Sequence, residues 1–308
     1  MIGRRDSHLV SGVLASVKQH QLAHQILTPA EVMERFPEFH LGEDEVAVFE
    51  EDAGYLDPER CIAAHLRMAS HLGARLRFEE RMLGWEQTPD GRVRVSTDRA
   101  VYVAKKLVLS VGTWAPELYG AALGLPLRVE RRVLYWFEPT HQPVADPFSR
   151  TPIYIWEISD DANFYGFPLQ PGAPRGVKVA GHCVDQSVAS LCTPGTIDRT
   201  VKPFEVERMR LLIAPRLPQL NGPLVDAATC MYTITPNGNF FIADHPRSPA
   251  VLLVSPCSGH GFKFASVIGE VISQIAQTGR TGHDISLFSM AAHAWKPKPN
   301  DSIIPGRL

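Results

Sequence analysis

The sequence predicts a mixed α/β fold in which two domains are interleaved along the chain. At 308 residues and 44% hydrophobic content, the chain can bury a large core. Near the C-terminus, a strand, a glycine turn and a helix follow one another, as they do in an α/β sheet. Between residues 133 and 181, several strands follow without helices between them, which indicates an antiparallel sheet.

Two helices in the first part of the chain are predicted from their caps. Thr28 is a suitable N-cap, Pro29 suits the first helical position, and Glu31 completes a capping box. The segment Asp57-Pro58-Glu59 repeats this arrangement, and Gly73 ends the second helix. The apolar residues on one face of the second helix are Ile62, Leu66 and Ala69.

Strands are predicted where apolar residues alternate or run without interruption. A run that is apolar on successive residues, such as Leu107 to Val111, is typical of a parallel strand covered on both faces. The predicted strands are Ala74 to Phe78, a hairpin formed by the alternating runs Val93/Val95 and Val101/Val103, Leu107 to Val111, Val133 to Phe137, Ile153 to Ile158, Phe164 to Phe167, Val177 to Ala180, Cys230 to Thr235 and Ala250 to Val254.

The last predicted helix begins after Lys263. Apolar residues recur on one side of it from Val267 to Ala276, and Gly279 lies just beyond. We expect this amphipathic helix to pack on a sheet.

Composition excludes several classes of function. The net charge is −2 and no run of five or more like charges occurs, so we expect no nucleic-acid partner. The pairs Arg4-Arg5 and Arg131-Arg132 are interpreted as solvated surface. No membrane-spanning stretch or signal-peptide core is evident, so we expect a cytoplasmic protein. Five scattered cysteines fit neither a disulfide framework nor a metal motif, and no bound metal is expected.

Two linked motifs indicate chemistry. The first, Cys230-Met231-Tyr232-Thr233, places a thiol on a strand that ends at the turn Pro236-Asn237-Gly238. The second, Ser258-Gly259-His260-Gly261-Phe262-Lys263, follows a buried strand and begins a helix. The N–H groups at a helix start favour an anionic or electron-accepting ring. The two motifs therefore indicate a flavin site.

Both motifs resemble those of the monomeric sarcosine oxidase and N-methyltryptophan oxidase family. These flavoenzymes oxidise secondary amino acids and bind FAD covalently through a cysteine. The resemblance implies a FAD-linked oxidoreductase fold of two domains. A substrate domain is expected at residues 1–52 and 126–232, an FAD-binding domain at 53–125 and 233–295, and a tail at 296–308.

The dinucleotide-binding fingerprint G-x-G-x-x-G does not occur in these 308 residues. In the family it lies at the N-terminus, roughly 80 residues, or two βαβ segments, before the point where the match to this sequence begins. We therefore expect an N-terminally truncated member, which is either a natural fragment or the product of a mis-assigned start.

The resemblance assigns cofactor contacts to several residues. Cys230 matches the cysteine that forms a thioether to the flavin 8α carbon, against the alternative of a buried strand cysteine. The N–H groups of the Gly259 and Gly261 turn would stabilise negative charge on the reduced ring, with Phe262 packing the turn. His260 is either a flavin neighbour or a turn histidine.

Further cofactor contacts come from the middle of the chain. Gly112-Thr113-Trp114 resembles a Gly-Ala-Trp segment that packs against FAD, and Met82 matches a position whose backbone contacts the adenine. Pro256-Cys257 replaces the usual Gly-Phe, and Asn239 replaces an acidic residue, so loop geometry near the ring can differ from that of the family.

The resemblance also assigns substrate contacts. Lys263 would bind the substrate carboxylate, and a solvated lysine is the alternative. Lys178 would activate oxygen, although a strand often carries an outward-facing lysine. His182 lies four residues further on, on the same strand face as Lys178. His182, Tyr165 and Tyr232 match residues of the substrate cavity, although Tyr165 also suits a structural strand aromatic.

The preferred interpretation is a monomeric FAD-dependent amine oxidase. Its substrates would be a small N-methyl or cyclic amino acid and oxygen, and hydride would pass to flavin N5 with release of hydrogen peroxide. The alternative is an inactive fragment that acts as a binding or interaction module. A metal-dependent hydrolase using His182, Cys183 and His260 is a third hypothesis, without a ligand-spacing motif to support it.

Overall fold

The computed structural model describes residues 1–140, 147–160, 162–170, 176–183 and 191–293. The chain forms two compact units. Unit 1 comprises residues 1–55, 131–190 and 197–230, and unit 2 comprises residues 56–130, 191–196 and 231–308. The predicted tail at 296–308 lies outside the described residues. The assignment of a substrate domain and an FAD-binding domain stays a prediction.

Strands and helices are distributed along the whole chain. The strands are β1 Ile2–Arg4, β2 Gln25–Leu27, β3 Glu45–Phe49, β4 Met82–Gln87, β5 Val93–Thr97, β6 Val101–Ala104, β7 Leu107–Leu109, β8 Arg128–Phe137, β9 Tyr154–Ser159, β10 Ala162–Gly166, β11 Val177–Cys183, β12 Leu224–Ile234, β13 Phe241–His245 and β14 Ser248–Ser255. The helices are α1 His8–His20, α2 Pro29–Arg35, α3 Pro58–His71, α4 Ala121–Leu123, α5 Pro203–Ile213 and α6 Ala265–Thr278.

An eight-stranded sheet provides the framework of unit 1. Its strand order is β12-β8-β11-β10-β9-β1-β3-β2. The antiparallel pairing of β9 with β10 and of β10 with β11 confirms the predicted antiparallel sheet. However, β8 pairs with β11 and not with β9, its neighbour in sequence. Strand alternation identifies each strand but not its partner, because a long connection leads from β8 to β9.

One face of this sheet forms the core of unit 1. Phe137, Trp156, Phe164 and Val179 have no exposed surface there. These side chains belong to one apolar cluster with Met209 and Ile213 of α5. Alternate residues of the same strands therefore point away from this core.

Unit 2 contains two three-stranded sheets. In the first, β14 pairs parallel with β7 and antiparallel with β13. Ile268, Val271 and Ile275 of α6 pack against strand residues that include Leu252 and Val254. The predicted order of strand, glycine turn and helix is thus confirmed. The second sheet, β4-β5-β6, contains the predicted hairpin, β5 paired with β6.

Local cap predictions are confirmed at both early helices. Thr28 caps α2 in a complete capping box with Glu31, and Asp57 caps α3. Gly73, with φ of 94°, follows the end of α3. The apolar face predicted for α3 is not buried, since no residue of this helix is buried.

The strand predicted at Ala74 to Phe78 is wrong. These residues are irregular, and Phe78 is 65% exposed. An apolar run becomes a strand only where another strand pairs with it, and the described residues provide none for this segment. In the parts of the chain that the structure describes, no helix has the length and apolar character needed to cross a membrane.

Candidate flavin and substrate site

The sheet face opposite the unit 1 core carries Lys178 and His182. Val177 and Val179 on the same strand are buried in the core, whereas Lys178 and His182 are half-buried. Both residues therefore lie on the open face, as their spacing predicts. The Lys178 Nζ atom lies 5.5 Å from the centre of the Trp136 ring and 5.1 Å from that of the Phe167 ring.

Tyr165 shares this face. It is paired with Ala180 on β11, and paired residues project to the same side of a sheet. Its ring packs edge-on against Phe167 at 5.9 Å, and Phe167 packs edge-on against Tyr55 at 5.8 Å. Lys178 is thus set among aromatic side chains, of which Trp136, Phe167 and Tyr55 were not predicted as site residues. The alternation of β8 places Trp136 opposite its core residues and would have identified it.

Cys230 lies on β12, which neighbours β8 at the edge of the large sheet. The thiol is half-buried, and burial raises its pKa. The positive charges of Lys178 and Arg132 act in the opposite direction on this pKa. The structure therefore brings Cys230, Lys178 and Arg132 into one electrostatic environment within unit 1.

The interpretation of Arg131 and Arg132 as solvated surface is wrong, because each is only 8% exposed. Arg131 forms an ion pair with Glu205 at 2.5 Å and donates to the carbonyl oxygens of Asp198 and Thr200. Glu205 raises the pKa of the Arg131 guanidinium further. These hydrogen-bond acceptors of Arg131 make its burial possible. They lie about 70 positions away in sequence, so the residues next to Arg131 do not predict them.

In unit 2, the glycine turn is tied to the end of β12. The Ser258 N–H donates to the Thr233 carbonyl oxygen at 2.8 Å, and the Thr235 N–H donates to the Ser258 hydroxyl at 3.4 Å. The strand of the first motif and the turn of the second are therefore directly hydrogen-bonded. The predicted turn at Pro236-Asn237-Gly238 is also present, closed by the Gly238 N–H on Thr235.

Both glycines of the turn are required by close contacts. At Gly259, which has φ of 80°, an added Cβ atom would lie within 2.5 Å of the Tyr232 ring. At Gly261, an added Cβ atom would overlap the Pro256 carbonyl oxygen. The turn thus leaves its backbone open to close approach by another group.

The remaining side chains of the turn differ in exposure. The His260 ring stacks on Phe240 at 5.0 Å, and its Nδ1 lies 3.0 Å from the Ser258 carbonyl oxygen. Phe262 and Lys263 form the first turn of a short 3₁₀ segment before α6, and both are exposed. Within this segment the Phe264 N–H donates to the Gly261 carbonyl oxygen at 3.0 Å, and the first N–H groups of a helix generally have no intrahelical acceptor.

The other predicted cofactor contacts also belong to unit 2. Gly112, with φ of 55°, and Trp114, which is 54% exposed, form a 3₁₀ turn after β7. Met82 is the first residue of β4. It packs against the apolar cluster of Leu109 and Ala115. No His, Cys, Asp or Glu cluster that could hold a metal occurs among the described residues.

Comparison with known proteins identifies the family of this chain. A family profile described as FAD dependent oxidoreductase matches residues 5–275. The chain belongs to this family.

The chain is similar to two relatives and to one solved structure. Monomeric sarcosine oxidase of Streptomyces avermitilis is 45% identical over 291 residues, which are 94% of this chain and 74% of that protein. N-methyl-L-tryptophan oxidase of Escherichia coli O81 is 30% identical over 297 residues, 94% of this chain and 75% of that protein. NikD, an amino acid oxidase of nikkomycin biosynthesis, superposes with a TM-score of 0.73 at 24% identity, covering 91% of this chain and 71% of NikD, which shows the fold.

The residues of this FAD-dependent oxidoreductase fit its cofactor. The turn at Gly259 and Gly261 is a cradle that any Cβ atom would fill, and the adjoining helix start provides N–H donors for an electron-accepting ring. Exposed Trp114 and the backbone of Met82 offer apolar and polar contacts in the same unit. The contacts of these residues with FAD stay predictions.

Proposed function

We propose that this oxidoreductase oxidises secondary amino acids, either N-methyl or cyclic, with release of hydrogen peroxide. The hydrogen bond from Ser258 N–H to the Thr233 carbonyl oxygen carries the proposal, because it joins the strand after Cys230 to the glycine turn before Lys263. The two relatives are named for the oxidation of sarcosine and of N-methyl-L-tryptophan, which are both secondary amino acids.

Each half of the reaction uses different side chains. Bound FAD supplies the acceptor for hydride from the carbon beside the amine, and then the two electrons that reduce oxygen. Lys263, which is exposed at the helix start, binds the substrate carboxylate. Tyr165, His182 and Tyr232 orient the amine. Lys178 presents a fixed positive charge to oxygen as it gains negative charge.

Cys230 holds the cofactor covalently, through a thioether to the flavin 8α carbon. Its position on β12, three residues before Thr233, supports this proposal. The alternative is a structural strand cysteine: burial raises the pKa of this thiol overall, and Lys178 and Arg132 act to lower it. Such a bond would need a thiolate as the nucleophile and would replace one C–H bond of the 8α carbon, with the two electrons passing to the flavin and then to oxygen.

The test requires bound flavin. Since these 308 residues contain no G-x-G-x-x-G segment, we expect them to bind FAD weakly by themselves. Experiments with flavin therefore use an extended form, in which the part of the Streptomyces avermitilis relative that precedes its match to this chain is placed before residue 1.

Peroxide release by the extended form is measured with sarcosine, N-methyl-L-tryptophan, L-proline and the primary amines glycine and L-tryptophan. We expect peroxide with one or more of the three secondary amines and little with the primary ones. A flavin-loaded protein that releases no peroxide with any of them would overturn the proposal. An extended form that binds no flavin would favour the interaction-module hypothesis.

A further inference from the structure

Arg132 is a buried cation whose guanidinium donates to the Arg131 carbonyl oxygen at 3.5 Å. It lies on β8, and only 8% of its surface is exposed. Taking a guanidinium out of water is unfavourable unless its charge acts on nearby groups. Its neighbour Arg131 meets this condition through Glu205, on the core side of the sheet.

The sheet places Arg132 on the same side as Lys178. On β8 and β11, Lys178 pairs with Trp136 and Ala180 pairs with Leu134. Paired residues project to one face, and every second residue of a strand returns to it. Arg132, two positions before Leu134, therefore lies on the open face with Lys178, whereas Arg131 lies on the core face.

The strand order also brings Arg132 towards Cys230. Strand β8 lies directly between β12, which carries Cys230, and β11, which carries Lys178. Arg132 and Lys178 are the charged groups that act on the Cys230 thiol among the described residues, and both lower its pKa against the larger effect of burial.

We propose that Arg132 is a positioning residue that places fixed positive charge beside the Cys230 sulfur and favours its thiolate form. The use of this thiolate in binding flavin rests on the proposed function. The effect of the charge is a property of the 308-residue chain without cofactor, and is measured there.

The test is the pH dependence of Cys230 alkylation by iodoacetamide, followed by mass spectrometry of its peptide. In Arg132→Gln, we expect the midpoint to move to higher pH and the rate at pH 8 to fall about three- to tenfold, because one pKa unit changes the thiolate fraction tenfold. Arg132→Lys keeps the charge and restores most of the rate.

Two controls separate charge from folding. Arg128→Gln removes a half-exposed arginine from the same strand and leaves the Cys230 midpoint unchanged. Cys61 on α3 provides an internal reference in every digest. If the circular dichroism spectrum shows that Arg132→Gln does not fold, Arg132→Met is used instead. Replacing a buried charged side chain by an apolar one of similar size often preserves stability.

An unchanged pH midpoint of Cys230 alkylation in a folded Arg132→Gln or Arg132→Met chain would overturn the inference. This result would hold whether or not the extended form binds flavin. A raised midpoint supports it. The midpoint can be raised in this chain while acid extracts all of the flavin from the extended form. That combination would support the role of Arg132 and show that no thioether forms.

Discussion

The ring of Tyr232 lies so close to the backbone of Gly259 that a Cβ atom at residue 259 would come within 2.5 Å of it. Gly259 also has φ of 80°, a conformation that side chains other than glycine rarely adopt. The contact joins a predicted cavity tyrosine at the end of β12 to the turn that begins the last helix. The positions of this tyrosine and this turn therefore depend on each other.

Replacement of Gly259 by alanine should destabilise the protein by about 1–3 kcal/mol, because the backbone is strained and the Tyr232 ring must move. Urea unfolding measures this change. Gly269→Ala is the matched control: Gly269 lies within α6 with open space around its Cα, and alanine there should stabilise the helix by about 0.5–1 kcal/mol. Equal effects of the two substitutions would contradict the geometry of the turn.

Cys230→Ser should release the flavin. When the extended form is precipitated with acid, we expect the yellow flavin to stay in the protein pellet. With the serine variant, we expect the flavin to appear in the supernatant. Cys257→Ser is the matched control, because burial also raises the pKa of the Cys257 thiol but no attachment is proposed there. Free flavin in the supernatant of the unmutated protein would show that no thioether forms.

Lys178→Met should separate the two half-reactions. If its charge serves oxygen, anaerobic flavin reduction by substrate stays nearly unchanged in the extended form, while reoxidation slows about a hundredfold to a thousandfold, as on loss of a preorganised electrostatic contact. Lys263→Met should do the reverse, weakening substrate binding and reduction but sparing the reaction with oxygen. Stopped-flow absorbance resolves both phases.

A structural role of Lys178 is the alternative to its role in the reaction with oxygen. The ammonium group also lies over Trp136 and Phe167, so its loss can disturb the aromatic side chains around it. Equal slowing of reduction and reoxidation would mean that Lys178 holds this face of the sheet together and does not act on oxygen.

His245 should make stability depend on pH. Its pKa is lowered, first by burial and then by the charge of Arg247, and its ring packs edge-on against Trp85 at 5.2 Å. Between this lowered pKa and the value of about 6.5 in the unfolded chain, only the unfolded chain binds the proton. Stability from this residue is therefore present above about pH 6.5 and is lost as the pH falls below it.

The urea midpoints at pH 7.5 and 5.5 measure this effect. Between pH 7.5 and 5.5, we expect the urea midpoint of His245→Gln to fall less than that of the unmutated chain. The midpoint of His283→Gln should fall as much as that of the unmutated chain, since His283 is exposed. The same fall in all three proteins would rule out His245 as a source of the pH dependence.

The sequence predicted the features that depend on neighbouring residues. The capping box of Thr28 and Glu31, the turn before Gly238 and the apolar stripe of α6 are each determined within a few positions. The linked motifs are of this kind, because strand, turn and helix follow one another directly. Pattern and resemblance together were therefore enough to identify the family.

Features that depend on distant residues were not predicted. The strand expected at Ala74 to Phe78 fails because no described strand pairs with it, and β8 joins β11 although two other strands separate them in sequence. The Arg131-Arg132 pair was interpreted as surface because Glu205, which forms an ion pair with Arg131, lies far along the chain. Their burial follows from sheet order, which the strand patterns did not contain.

Anaerobic mixing of the flavin-loaded extended form with N-methyl amino acids determines whether this protein oxidises secondary amines. With sarcosine or N-methyl-L-tryptophan, we expect the flavin absorbance to bleach fully, and to return on admission of oxygen with one hydrogen peroxide per flavin. If the bound flavin is reduced by dithionite but by no secondary amino acid, the chain is not an amine oxidase.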